Sequence, residues 1–139
     1  MRKLGILTAV LTALIITAGA ALAGSAHYPG NPSRNPSVSI DGNTLTASGK
    51  IAGLGNIDQI EVTVTADAEC INPGGNKPQA SNKETFSATS LEPVQNGKAD
   101  FSITLTATFQ PDCTPPMTLV WSNVTISVAG FPELTRTFL

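Results

Sequence analysis

From Ser37 onward the chain alternates apolar and polar residues with period two, nearly to its end. Val38 and Ile40 alternate with Ser37 and Ser39. Asp41-Gly42-Asn43 reads as the turn of a hairpin whose second arm carries Leu45 and Ala47. The clearest segment runs from Ile60 to Cys70. Ile60, Val62, Val64, Ala66, Ala68 and Cys70 fall on one face; Glu61, Thr63, Thr65, Asp67 and Glu69 fall on the other. Such alternation predicts a half-buried strand, because successive side chains of a strand point to opposite faces. A second strand is predicted from Ala99 to Phe109, with Phe101, Ile103, Leu105, Ala107 and Phe109 inward. A third carries Val124, Ile126 and Val128. Shorter candidates are Thr85 to Leu91, Met117 to Trp121 and Leu134 to Leu139.

Asn96-Gly97 and Ala129-Gly130-Phe131-Pro132 supply turn chemistry between these runs. Trp121 and Val124 are three apart, so a regular strand cannot turn both to the core, and a bulge is expected at Ser122-Asn123. No window after residue 36 has helical periodicity. Many short strands joined by Gly, Pro and Asn turns predict an all-β fold: an antiparallel, immunoglobulin-like sandwich of about seven strands over residues 37–139. Residues 24–36 are expected to form a flexible lead-in, because Pro29, Gly30, Pro32 and Pro36 disfavour helix and ladder alike.

The amino-terminal stretch has a different pattern. A basic start, Met1-Arg2-Lys3, precedes a largely apolar run from Leu4 to Ala20, and small residues close it at Ala21-Leu22-Ala23 and Gly24-Ser25-Ala26. This is the layout of a secretory signal peptide over residues 1–23, with cleavage after Ala23, or alternatively after Ala26. The chain is therefore expected to be exported, to the periplasm, the cell surface or the medium. Membrane contact is expected only through the uncleaved signal. Removing Arg2 and Lys3 leaves six basic against ten acidic residues, a net charge of −4. A mildly acidic domain without a basic cluster is a poor partner for nucleic acid, whose binding needs clustered Lys and Arg.

Cys70 and Cys113 are the only cysteines, which leaves one intramolecular pairing, and export makes a disulfide the expected state. Cys70 ends a predicted strand on its inward face; Cys113 sits in a loop between Pro111 and Pro115-Pro116. The bond should tie a strand end to a loop at one pole of the sandwich, unlike the mid-sheet pin of an antibody domain.

Catalytic chemistry has little to work with. The single histidine, His27, lies in the lead-in, where a catalytic base would lack a fixed frame. Asp67 and Glu69 are neighbours on one outward face and read as a solvated strand surface. With one His and a disulfide, no transition-metal site is expected. Calcium would need Asp58, Asp67, Glu69 or Asp112 to converge, and no calcium-loop spacing exists. No cofactor is predicted, and the chain is read as non-enzymatic.

The most distinctive stretch is Ile71 to Glu84, long for a hairpin connection, with Asn72, Gly74, Gly75 and Asn76 as a candidate interaction loop. Threonine rows (Thr63 and Thr65; Thr104, Thr106 and Thr108) read as wet strand faces. Trp121 is expected in the core, and Asn123-Val124-Thr125 fits a glycosylation sequon.

Three features together carry a resemblance: Gly53-Leu54-Gly55-Asn56, the strand from Val62 to Cys70, and Asn72-Pro73-Gly74-Gly75-Asn76. The chain resembles small exported bacterial proteins of unknown function with a Cys-x-Asn-x-Gly-Gly-Asn loop and a later Pro-flanked Cys. The resemblance implies export and a β fold, and no activity. The expected role is structural or interaction-based, with an unknown protein or surface partner met through loops or a strand edge; Leu134 to Leu139 is the expected edge. The alternative is an extracellular ligand-binding module, for carbohydrate or calcium. An enzyme ranks third, since it would need two carboxylates facing one cleft.

Overall fold

A computed structural model describes residues 25–72 and 82–139. The expected signal segment and most of the candidate interaction loop lie outside the described residues. Seven strands follow one another: β1 (Ser37–Asp41), β2 (Thr44–Ile51), β3 (Gln59–Ile71), β4 (Lys83–Pro93), β5 (Ala99–Thr106), β6 (Thr118–Val128) and β7 (Arg136–Phe138). A 3-10 turn, Pro132–Leu134, precedes β7. The strands form two antiparallel sheets, ordered β1-β2-β5 and β4-β3-β6-β7. Among the described residues no helix is long and apolar enough to cross a membrane.

The alternation in the sequence is the reason for this layering. The even-numbered residues of β3 from Ile60 to Cys70 are all buried, as are Leu45, Ala47 and Ile51 of β2 and the odd-numbered Phe101, Ile103 and Leu105 of β5. They meet Val124, Ile126 and Val128 of β6 in one core between the sheets. The burial of several aliphatic side chains, each worth about 1.5–3 kcal/mol, holds the two layers together. The tight turn at Asn96-Gly97 puts both residues in the left-handed region (φ +55° and +74°), and Gln95 and Lys98 exchange both backbone hydrogen bonds across it.

The expected bulge is present. Pairing between β3 and β6 steps from Thr65–Thr125 to Asp67–Ser122, so β6 carries one extra residue there. Asn123 takes it up at φ +50°. The extra residue resets the parity of β6, and Trp121 (5% exposed) and Val124 (0%) both turn inward. The same device makes Thr118–Trp121 and Val124–Val128 parts of one continuous strand instead of two.

Four expectations need correction. The ladder of β5 stops at Thr106, although Ala107 still donates to Asn43 O at 2.8 Å and Phe109 still packs inward. Ile40 lies at the end of edge strand β1 and is 47% exposed, so it is not a core residue. The last segment forms only three paired residues, because Pro132–Leu134 coils first.

The fourth concerns the lead-in. Residues 25–36 are fastened to the sandwich rather than free. Ala26 is buried, and His27 and Ala52 exchange backbone hydrogen bonds of 3.0 and 2.9 Å. Pro36 has no N–H to offer β2, and the Asn35 side chain replaces it. Its Nδ2 donates to Lys50 O (3.0 Å) and Pro29 O (2.7 Å), and Lys50 N–H donates to its Oδ1 (2.8 Å). Gly53 makes room for the crossing: at φ +75°, a Cβ there would stand 2.3 Å from Ser25 O.

Tyr28 closes the far side. Its hydroxyl donates to Leu134 O at 2.7 Å, and the Arg136 guanidinium lies 4.9 Å from its ring centre. Burial pushes the phenol up to about 12 against a smaller opposing pull from Arg136. A raised acid means that the neutral form is favoured when folded. The docking of Tyr28 therefore contributes fully below the ordinary tyrosine range and is lost as pH rises from about 10 toward 12. Tyr28 is the only tyrosine. A titration followed at the tyrosinate absorption band should give one midpoint near pH 12; a midpoint near 10 would mean that the lead-in is undocked.

Candidate functional site

The first candidate is the pole that bears the loop between β3 and β4. Glu69 pairs with Lys83 in register, and their side chains form an ion pair of 3.3 Å. One residue further, Cys70 is bonded to Cys113 in the β5–β6 connection, with the Cα atoms 5.8 Å apart. The bond ties a strand end to a loop, as its place in the sequence predicts. Behind it, the Phe86 ring meets Phe109 and Trp121 edge-on, both at 6.1 Å between centroids, and Trp121 Nε1 donates to Gly42 O at 3.2 Å. Asn72 is exposed at the start of the loop; Gly74, Gly75 and Asn76 fall outside the described residues.

The second candidate is a groove at the opposite end of the sheets, beneath the lead-in. Pro29, Asn31, Arg34, Gly49, Lys50 and Asp100 line one part of about 620 Å³. Glu92, Gln95 and Lys98 line the adjoining part of about 660 Å³. Arg34, Lys50 and Lys98 thus border one continuous depression in an otherwise acidic domain. Sequence reading missed them because they are scattered; only the β2–β5 register, Lys50 opposite Asp100, brings them together. The signal within reach of the sequence was Asn35-Pro36, a side-chain amide placed where a proline breaks the ladder.

Asp67 and Glu69, the two carboxylates expected on one outward face, both have structural partners. Asp67 accepts from Thr85 Oγ1 at 2.6 Å and Asn123 Nδ2 at 3.0 Å. The Thr85 bond first and the Asn123 bond second hold its carboxyl below the usual range. A depressed carboxylate stabilises above the ordinary aspartate range and loses that contribution as pH falls through its folded value. Being exposed, it contributes little. Asp58 and Asp67 stand nine residues apart along one chain direction, about 30 Å at strand rise, so the four carboxylates named for calcium do not converge. Among the described residues no group of three or more His, Cys, Asp or Glu could hold a metal ion.

His27 is placed on the outside of the lead-in, where its Nδ1–H donates to Ser25 O at 2.7 Å. Among the described residues the aromatic side chains are buried or half-buried, Tyr28, Phe86, Phe131 and Phe138 being half-buried. The outward faces of both sheets are instead paved with hydroxyls that pair across strands, Thr46 with Thr104 and Thr63 with Thr89, each at 2.9 Å. These pairs are the ordinary stabilising contacts of a wet strand face. No family model, curated protein or solved structure matches the chain.

Proposed function

We propose that the chain is an exported, non-catalytic β-sandwich, secreted or held at the cell surface, that works as an interaction module through the loop between β3 and β4. One observation carries this reading: the two arms of that hairpin are clamped where they leave the sandwich. The Cys70–Cys113 bond and the Glu69–Lys83 pair fix the positions from which residues 72–82 are presented. A rigid frame carrying a long connection is the usual arrangement for recognition by loops. The disulfide supports an oxidising compartment and thereby export. The strand order supports an immunoglobulin-like reading. The first, second and fifth strands share one sheet and the third, sixth and seventh the other, with the fourth moved beside the third.

The test is fractionation of expressing cells with intact mass on each fraction. The extracytoplasmic protein should lack residues 1–23 and gain two hydrogens on reduction. A variant with 73–81 replaced by Gly and Ser at equal length should keep its thermal midpoint and shift from the surface to the medium. An uncleaved, reduced chain in the membrane overturns export; an unchanged partition overturns the role of the loop.

A second reading, a ligand-binding module, is favoured by the groove beneath the lead-in. Arg34, Lys50 and Lys98, beside Glu92 and Asp100, suit a small polyhydroxylated ligand with a carboxylate, such as an acidic sugar.

A further inference from the structure

We infer that β4 is a dimerisation edge, at which a second copy of this chain adds its own β4 antiparallel about a two-fold axis at Ser87. Among the described residues β4 ends the four-stranded sheet. Its free side can be assigned residue by residue. Val94 N–H donates to Asp58 O, one step beyond the Gln59–Pro93 pair. Since direction alternates along an antiparallel strand, even-numbered residues of β4 point their backbone groups at β3. The N–H and C=O of Thr85, Ser87, Thr89 and Leu91 therefore point outward.

Natural edges of this length are blunted by charge, proline or a bulge. β4 has none of these where it matters. Its register with β3 is unbroken over eleven residues. Thr85 to Leu91 contains no charged residue, Pro or Gly, and Leu91 is 58% exposed. The other edges differ: β1 has five residues, β7 has three, and β5 carries Asp100 within its span. The expectation that the last segment supplies the open edge thus passes to β4, because β7 is too short to recruit a strand.

Self-pairing also satisfies the charges. With the axis at Ser87, Thr85 faces Thr89 of the second copy, Phe86 faces Ala88, Glu84 faces Ser90 and Lys83 faces Leu91. No like charges oppose. An axis one residue on, at Ala88, would set Glu84 against Glu92 of the second copy, a destabilising arrangement. The outer-face pairs would repeat contacts β4 already makes with β3, Thr63–Thr89 at 2.9 Å and Thr65–Ser87 at 3.3 Å. The partner is therefore a second copy in an isologous, closed contact.

The experiment is sedimentation of the disulfide-intact mature protein across the micromolar range. It should dimerise reversibly. S87K places two lysines face to face at the axis and should weaken the dimer by up to about fivefold; S87A, which removes the same 3.3 Å contact with Thr65 without adding charge, should leave the dimer in place. S87C should give a covalent dimer on mild oxidation, because Cα atoms about 5.5 Å apart suit a disulfide; T85C should not. A wild-type monomer throughout overturns the inference and leaves the edge to a strand of another protein. So does a dimer unmoved by S87K, or one that S87C fails to cross-link.

Discussion

Replacing both Cys70 and Cys113 by Ala is expected to lower the unfolding free energy by about 4 kcal/mol, the chain-entropy value for a closed loop of 43 residues. Domains of this size are typically stable by about 5–15 kcal/mol, so this loss is large. The two ends are well placed to make the constraint count. Cys70 is buried at the inner end of β3, with Met117 Sδ 3.7 Å from its Sγ, while Cys113 sits in an irregular connection with few ladder bonds of its own. The bond stabilises by removing loop-closure entropy from the unfolded chain. Alanine is the right probe, since a serine hydroxyl at the buried end would add a desolvation cost unrelated to the cross-link. Denaturant titration with a slope fitted separately for each protein measures the effect, since removing the cross-link expands the unfolded chain. A shift below about 1 kcal/mol would show that strain in the folded bond or residual structure in the unfolded chain offsets the loop-closure gain.

Trp121→Ala is expected to cost about 3–5 kcal/mol, the range for truncating a large buried aromatic. Trp121 belongs to the four-stranded sheet yet hydrogen-bonds Gly42 O, in the β1–β2 turn of the other sheet. Its ring meets Phe86 edge-on, and Phe86 in turn meets Phe109, beyond the end of β5. The side chain therefore couples the layers at the disulfide pole. Trp121→Phe separates the terms: it keeps most of the ring and removes the bond to the carbonyl of exposed Gly42, for an expected cost of about 0.5–1.5 kcal/mol. Circular dichroism is the suitable probe, because Trp121 is the only tryptophan and fluorescence is lost with it. The cysteine and tryptophan changes share one pole, so their sum should not be additive. Equal, small costs for both Trp121 variants would place the coupling elsewhere.

Much of the fold was legible because strand periodicity is a local property. The six inward residues of β3 and the three of β5 follow from alternation alone, as do the Gly42 and Gly97 turns. The bulge at Asn123 was legible for a related reason: parity is countable, and Trp121 and Val124 break it. The disulfide followed from arithmetic, since two cysteines allow one intramolecular pairing.

What escaped was non-local. Three prolines in the lead-in read as disorder, since proline removes ladder donors. The structure answers them with the Asn35 amide and the Tyr28 hydroxyl, whose partners Lys50 and Leu134 lie 15 and 106 residues away. Ile40 has the right parity for the core and is exposed only because its strand lies on an edge. Arg34, Lys50 and Lys98 became neighbours through the β2–β5 register, and β4 became the open edge through the order of strands in its sheet. Alternation and cysteine count thus determined the strands, the layers and the cross-link, because each depends on residues close in sequence or on a single possible pairing. Which strands lie at the edges, what the lead-in rests on and where the cations gather were decided only in three dimensions, since each depends on which distant segments pair.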